Sequence, residues 1–216
     1  MERIEGKNYI FGLPRSGTNF INTLINSKLK VVFSNPNING DDLWKHSFNG
    51  LNNINEHDKI IFIYKNVYTW IESILIRYPS MGVFIQNTLK NQNLQLSEEL
   101  IMEESEFLFC DYLVSLETMV NIYKHYVNQF KEYEKNHNNI LIIKYEDLLI
   151  PEKQTHVLKQ LFSFFESENT NYDFFERERV PVSKKINKDT LEYYKNEKPI
   201  FLPENMVNKI NEIIKI

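Results

Sequence analysis

Between Gly12 and Asn19 the chain reads Gly-Leu-Pro-Arg-Ser-Gly-Thr-Asn, directly behind the short apolar run that ends in Ile10 and Phe11. A loop of this make-up, at a strand's end and a helix's start, can turn successive backbone N–H groups toward an anion, and the helix dipole adds about 0.3–2 kcal/mol. Its glycine spacing resembles a nucleotide-phosphate loop. Yet Thr18 stands where an ATPase loop carries lysine, and Asn19 stands where it carries the magnesium-binding hydroxyl. The cation present is Arg15, whose fixed fork of donors suits phosphate or sulfate oxygens and keeps its charge at any working pH. The chemistry open to such a loop is metal-free anion binding. The plainer reading is a tight turn before a helix capped by Ser16 or Thr18.

Three stretches, in chain order, carry a resemblance. The first is Pro14-Arg15-Ser16-Gly17-Thr18 after a strand. The second is Lys59-Ile-Ile-Phe-Ile-Tyr-Lys65, with Ser73 eight residues beyond Lys65. The third is Ile140-Leu-Ile-Ile-Lys-Tyr-Glu-Asp-Leu-Leu149, followed by Pro151 and a helix ending in Leu161-Phe-Ser-Phe-Phe165. Together they are similar to the sulfotransferases that use 3′-phosphoadenosine 5′-phosphosulfate (PAPS), over roughly Tyr9 to Phe165. The resemblance implies a three-layer, P-loop-like α/β fold with a mainly parallel sheet flanked by helices. It also implies a site in which Arg15, Ser16, Gly17, Thr18 and Asn19 hold the 5′-phosphosulfate, Lys65 and Ser73 the 3′-phosphate, and Phe20 the adenine face. The family's usual Arg-Asp-Pro is here Lys65-Asn66-Val67, which keeps the charge and loses the fork. The third stretch implies a structural turn, with Glu146 or Asp147 capping it. No counterpart of the family's C-terminal Arg-Lys-Gly loop is found, and Arg179, Lys184 and Lys185 are compositional stand-ins.

Sulfuryl transfer to a hydroxyl needs a base for the acceptor's proton and positive charge at the leaving oxygen. Arg15 suits the second task, with Lys45 sharing the charge. Among five histidines, His57 lies in an acidic turn, His125 and His156 lie inside expected helices, and His137 follows one. His46, in Trp44-Lys45-His46 some twenty residues before Lys65, falls where many sulfotransferases place their base. Glu56 and Glu72 are the substitutes. The acidic run Glu98, Glu99, Glu103, Glu104 and Glu106 has the spacing of a solvated helix face.

These residues need a framework. Asn8 to Gly12, Lys30 to Phe33, Lys59 to Tyr64 and Ile140 to Ile143 read as strands, and the unbroken apolar run of the third matches a strand covered on both faces. Thr18 to Lys28, Tyr68 to Arg77, Ser97 to Asn136 with a break near Phe109 to Asp111, Pro151 to Glu166 and Met206 to Ile214 read as helices. Alternation of this kind implies a parallel α/β sheet whose ligands bind beyond the carboxyl ends of the strands. Ser34 to Asp58 and Pro79 to Leu96 read as loops that form the acceptor pocket.

At 216 residues with 42% hydrophobic and 25% charged side chains, the chain is expected to be one globular domain, 1–216. A net charge of −4 gives no general reason to bind nucleic acid. No stretch is long and apolar enough for a membrane span, and Cys110 alone excludes an intrachain disulfide, so a cytoplasmic, soluble protein is expected. The expected reaction uses PAPS as co-substrate, no metal, and a hydroxyl-bearing acceptor: a glycan, a lipid, a small molecule or a protein tyrosine. Two alternatives stand beside it: a P-loop nucleotide or nucleoside kinase, and a non-catalytic nucleotide-binding module of the same fold.

Overall fold

The structure, a computed structural model, describes residues 6–34, 45–46, 50–77, 116–168, 170–175, 199, 202 and 204–214. Outside these lie Pro79 to Leu96, the segment 97–115 with its acidic run and Cys110, and Arg179, Lys184 and Lys185. The elements in chain order are β1 (Asn8–Phe11), α1 (Thr18–Leu29), β2 (Lys59–Tyr64), α2 (Val67–Arg77), α3 (Leu116–Asn136), β3 (Ile140–Lys144), α4 (Pro151–Phe164) and α5 (Glu204–Ile214), with 3₁₀ turns at Gly50–Asn53 and Tyr145–Leu148. The chain divides into two compact units, Met1–Lys65 with Asn128–Arg179, and Asn66–Val127 with Val180–Ile216.

The first unit is an α/β unit built on a three-stranded parallel sheet in the order β1-β2-β3. The central strand β2 is Lys-Ile-Ile-Phe-Ile-Tyr, buried along its four inner residues. Because successive side chains point to opposite faces, Ile61 and Ile63 join Ile10 and Ile143 on one face. There they meet Ile21, Leu24 and Ile25 of α1 and Val157, Leu158, Leu161 and Phe162 of α4 in one core cluster. Phe11 and Phe62 instead meet Phe130 of α3, whose ring stacks parallel on Phe62 at 4.1 Å between centroids. Helices therefore cover both faces, which is why β2 carries no polar alternation.

The amino ends of the strands are tied by Asp58. It is buried and accepts from the backbone N–H of Lys7 and of Asn55, both at 2.8 Å, while Asn139 Nδ2 donates to the Asp58 carbonyl. Lys59 Nζ reaches the carbonyl of Phe164 and the carboxylate of Glu166, fastening the end of α4 to β2.

Lys30 to Phe33, expected as a strand, is irregular. Lys30 is the left-handed cap of α1 (φ 57), its N–H returning to the Asn26 carbonyl. Val32 is 73% exposed. Phe33 is its one buried side chain, and the segment touches β1 through the Ser34 N–H, which donates to the Asn8 carbonyl at 2.8 Å, without forming a strand. α4 begins with Pro151 after an extended Ile150, the backbone that a following proline favours.

The second unit holds α2, the first turns of α3, and α5. Trp70 packs on Tyr123 at 5.4 Å, Tyr68 hydrogen-bonds Asn211, and Lys124 Nζ donates to the Ile213 carbonyl. No helix among the described residues is long and apolar enough to cross a membrane.

Candidate functional site

Three parallel strands end at one edge, and each is followed by a charged residue that the sequence placed far apart. β1 leads into the glycine loop with Arg15, β2 into Lys65, and β3 into Tyr145 and Glu146. The β2–β3 register pairs Tyr64 with Lys144, so Lys65 and Tyr145 are the next step outward.

The loop after β1 is held in a strained conformation. Arg15 takes φ 68 and Gly17 φ 104, two left-handed residues with Ser16 between them. For Arg15 this costs about 1–2 kcal/mol, and alternation of hands is the backbone pattern that gathers N–H groups into an anion-binding concavity. Gly17 is doubly constrained, since a Cβ there would lie 2.2 Å from Cδ2 of Tyr145. At Gly12 a Cβ would lie 2.4 Å from the Ile63 carbonyl oxygen and 2.5 Å from Ser16 Oγ. Gly17 is the N-cap of α1, and no side chain caps the helix. The plainer reading, a cap by Ser16 or Thr18, is thus not the one adopted; Ser16 Oγ is buried with no hydrogen-bond partner. Leaving a buried hydroxyl unsatisfied costs about 1–3 kcal/mol.

Lys45 and His46 dock on this loop from the long connection between α1 and β2. The N–H of Gly12 donates to the Lys45 carbonyl at 3.0 Å, and His46 Nδ1 donates back to the Gly12 carbonyl. Lys45 Nζ donates to Asn19 Oδ1 at 3.0 Å. With Nδ1 carrying the proton, a neutral His46 has its lone pair on Nε2. Burial pushes the His46 pKa down to about 4; the bond to Gly12 opposes this and the Lys45 charge adds to it. Burial also lowers the Lys45 ammonium from its ordinary value.

Lys65 is only 5% exposed, with Nζ 4.6 Å from the centre of the Tyr145 ring. Burial brings its pKa down to about 8, the Glu146 charge working to raise it and that of Arg15 to lower it. Phe20 is half-buried and meets Tyr145 and Phe175 edge to face, each at 6.0 Å. The aromatic expected to face adenine is therefore one wall of a three-ring cluster beside the loop.

The remaining expected residues are Ser73, Glu72 and Glu56. Ser73 belongs to the second unit, buried, with Oγ donating to the Trp70 carbonyl at 2.7 Å. Glu72 is fully buried in that unit, Oε1 accepting from the Leu202 N–H. Glu56 is exposed beside His57. In the turn after β3, whose N-cap is Lys144, Asp147 pairs with Lys153 at 3.0 Å, and Glu146 is fully buried with its charge acting on Lys65. The Tyr-Glu-Asp-Leu turn, expected to be structural, also sets the Tyr145 ring against Lys65 and buries Glu146, two residues that the sequence reading did not assign to the site. The available signal was their position just past a parallel strand, where the two preceding strands already present Arg15 and Lys65.

Compared with models of protein families, with curated proteins and with solved structures, the chain matches none.

Proposed function

We propose that the chain is a PAPS-dependent sulfotransferase on a P-loop-like α/β fold, moving a sulfuryl group to a hydroxyl-bearing acceptor. The observation that carries this reading is the docking of Lys45 and His46 on Gly12 and Asn19. It brings a cation and an imidazole with its lone pair on Nε2 to the glycine loop after β1. The loop amides, with Arg15, Ser16, Gly17, Thr18 and Asn19, would hold the 5′-phosphosulfate; Lys65 would hold the 3′-phosphate and the Phe20–Tyr145 rings the base.

In the reaction, the acceptor oxygen forms a bond to sulfur as the bond to the bridging phosphate oxygen breaks. The acceptor proton passes to His46 Nε2, and the charge left on 3′-phosphoadenosine 5′-phosphate is met by Arg15 and Lys45. Burial makes His46 a weak base, and an anion bound in the loop would raise its basicity where it is needed.

Calorimetric titration with 3′-phosphoadenosine 5′-phosphate and with adenosine 5′-phosphate tests the reading. The first is expected to bind ten- to a hundredfold more tightly, as about 1.5–3 kcal/mol per charge-assisted contact implies. Lys65→Ala is expected to erase most of the difference. Equal affinities in the unaltered protein would overturn the assignment, and binding without sulfate transfer to any of a panel of phenols, glycans and peptides would leave the binding-module alternative in its place.

A further inference from the structure

Lys65 and Glu146 occupy adjacent strand ends, both sealed from water, at 5% and 0% exposure. An ammonium in such a place is held there only if something nearby repays its lost hydration; otherwise it gives up its proton. The groups acting on it come from every neighbouring strand end. Arg15, after β1, opposes its charge. From the turn after β3, the Tyr145 ring offers a face to Nζ and the Glu146 carboxylate offers opposite charge.

We propose that Glu146 is a positioning residue that keeps Lys65 an ammonium within the site, so that Arg15 and Lys65 stand ready as two fixed cations for one phosphorylated or sulfated ligand. The inference rests on the anion-site reading above, and it adds a regulation of that site: ligand affinity follows the charge of Lys65. A carboxylate placed beside a needed cation also restricts the site to ligands able to compete with it, which favours a phosphate dianion over a carboxylate or chloride.

The first test needs no ligand. Lysine labelled with ¹³C at Cε is titrated by NMR, with the Lys65 signal assigned by its loss in Lys65→Arg. In the unaltered protein the signal is expected to titrate near pH 8, and in Glu146→Gln at least one pH unit lower. An unchanged midpoint overturns the proposal. The second test reads adenosine 3′,5′-bisphosphate affinity from pH 6 to 9. Glu146→Gln is expected to bind like the unaltered protein at pH 6 and about tenfold more weakly at pH 8, and Lys65→Arg is expected to lose the alkaline decline. A loss equal at every pH means that Glu146 is merely structural. If the nucleotide does not bind, the functional reading fails, while the NMR arm still decides the role of Glu146. If Glu146→Gln does not fold, Lys65→Met/Glu146→Gln decides: recovered folding supports the pairing, and continued unfolding overturns it.

Discussion

Lys45 Nζ donates to Asn19 Oδ1 at 3.0 Å, setting an ammonium from a distant loop against the first turn of α1. Where a magnesium-dependent loop places a hydroxyl for the metal, this chain places an amide that holds a cation of its own. Nucleotide binding and sulfate transfer are therefore expected to be indifferent to EDTA and to added magnesium. Turnover abolished by chelation and restored by magnesium would favour the kinase alternative.

The same contact predicts coupling. Asn19→Ala is expected to weaken binding of 3′-phosphoadenosine 5′-phosphate by about two- to tenfold, the range of a single net hydrogen bond. In a Lys45→Ala background it is expected to have almost no further effect. Calorimetry on the four proteins of the cycle measures this, and additive losses would mean that Asn19 acts without Lys45.

His46→Ala is expected to lower kcat by about a hundredfold or more with nucleotide affinity nearly unchanged, since a base acts on the acceptor's proton. Near-native turnover would move the base elsewhere.

His46 also predicts an acid-sensitive fold. Its pKa in the folded chain is about 4, against 6.5 for an ordinary imidazole. The unfolded chain therefore binds the proton first, so this contribution is complete above pH 6.5 and is lost as the pH falls toward 4. Thermal melts at pH 7.5 and pH 4.5 are expected to differ more for the unaltered protein than for His46→Asn, whose amide can keep the bond to Gly12. An equal difference in both would show that His46 does not carry the effect.

Gly17→Ala is expected to destabilise the chain by about 1–3 kcal/mol, from the left-handed backbone and the collision with Tyr145. Denaturant midpoints at constant m-value measure it. Tyr145→Ala in the same chain should return only the steric part, so full recovery would count against backbone strain as a cause.

Much of the framework was legible in the residue order. The apolar run Lys59 to Tyr64, the glycine loop before a helical periodicity, and Pro151 at a helix start are local signals, because strand burial, turn geometry and helix initiation depend on neighbouring residues. Element identities at Asn8–Phe11, Thr18–Leu29, Lys59–Tyr64, Ile140–Lys144 and Pro151–Phe164 follow from them within a residue or two. Where the local signal was thin it misled, as at Lys30 to Phe33, which lies beside Asn8 of β1 without forming a regular strand.

What only the tertiary structure decided is which distant residues share a place. The sequence by itself determined that Arg15, Lys45, His46 and Lys65 exist at spacings suited to anion chemistry. It did not determine that Lys45 rests on Asn19, that His46 is held by Gly12, or that Glu146 lies buried beside Lys65 while Ser73 turns its hydroxyl back on Trp70. The reason is physical: a side chain's charge state and partners are set by burial and by the fields of groups brought near through strand register, and neither is a property of its neighbours along the chain.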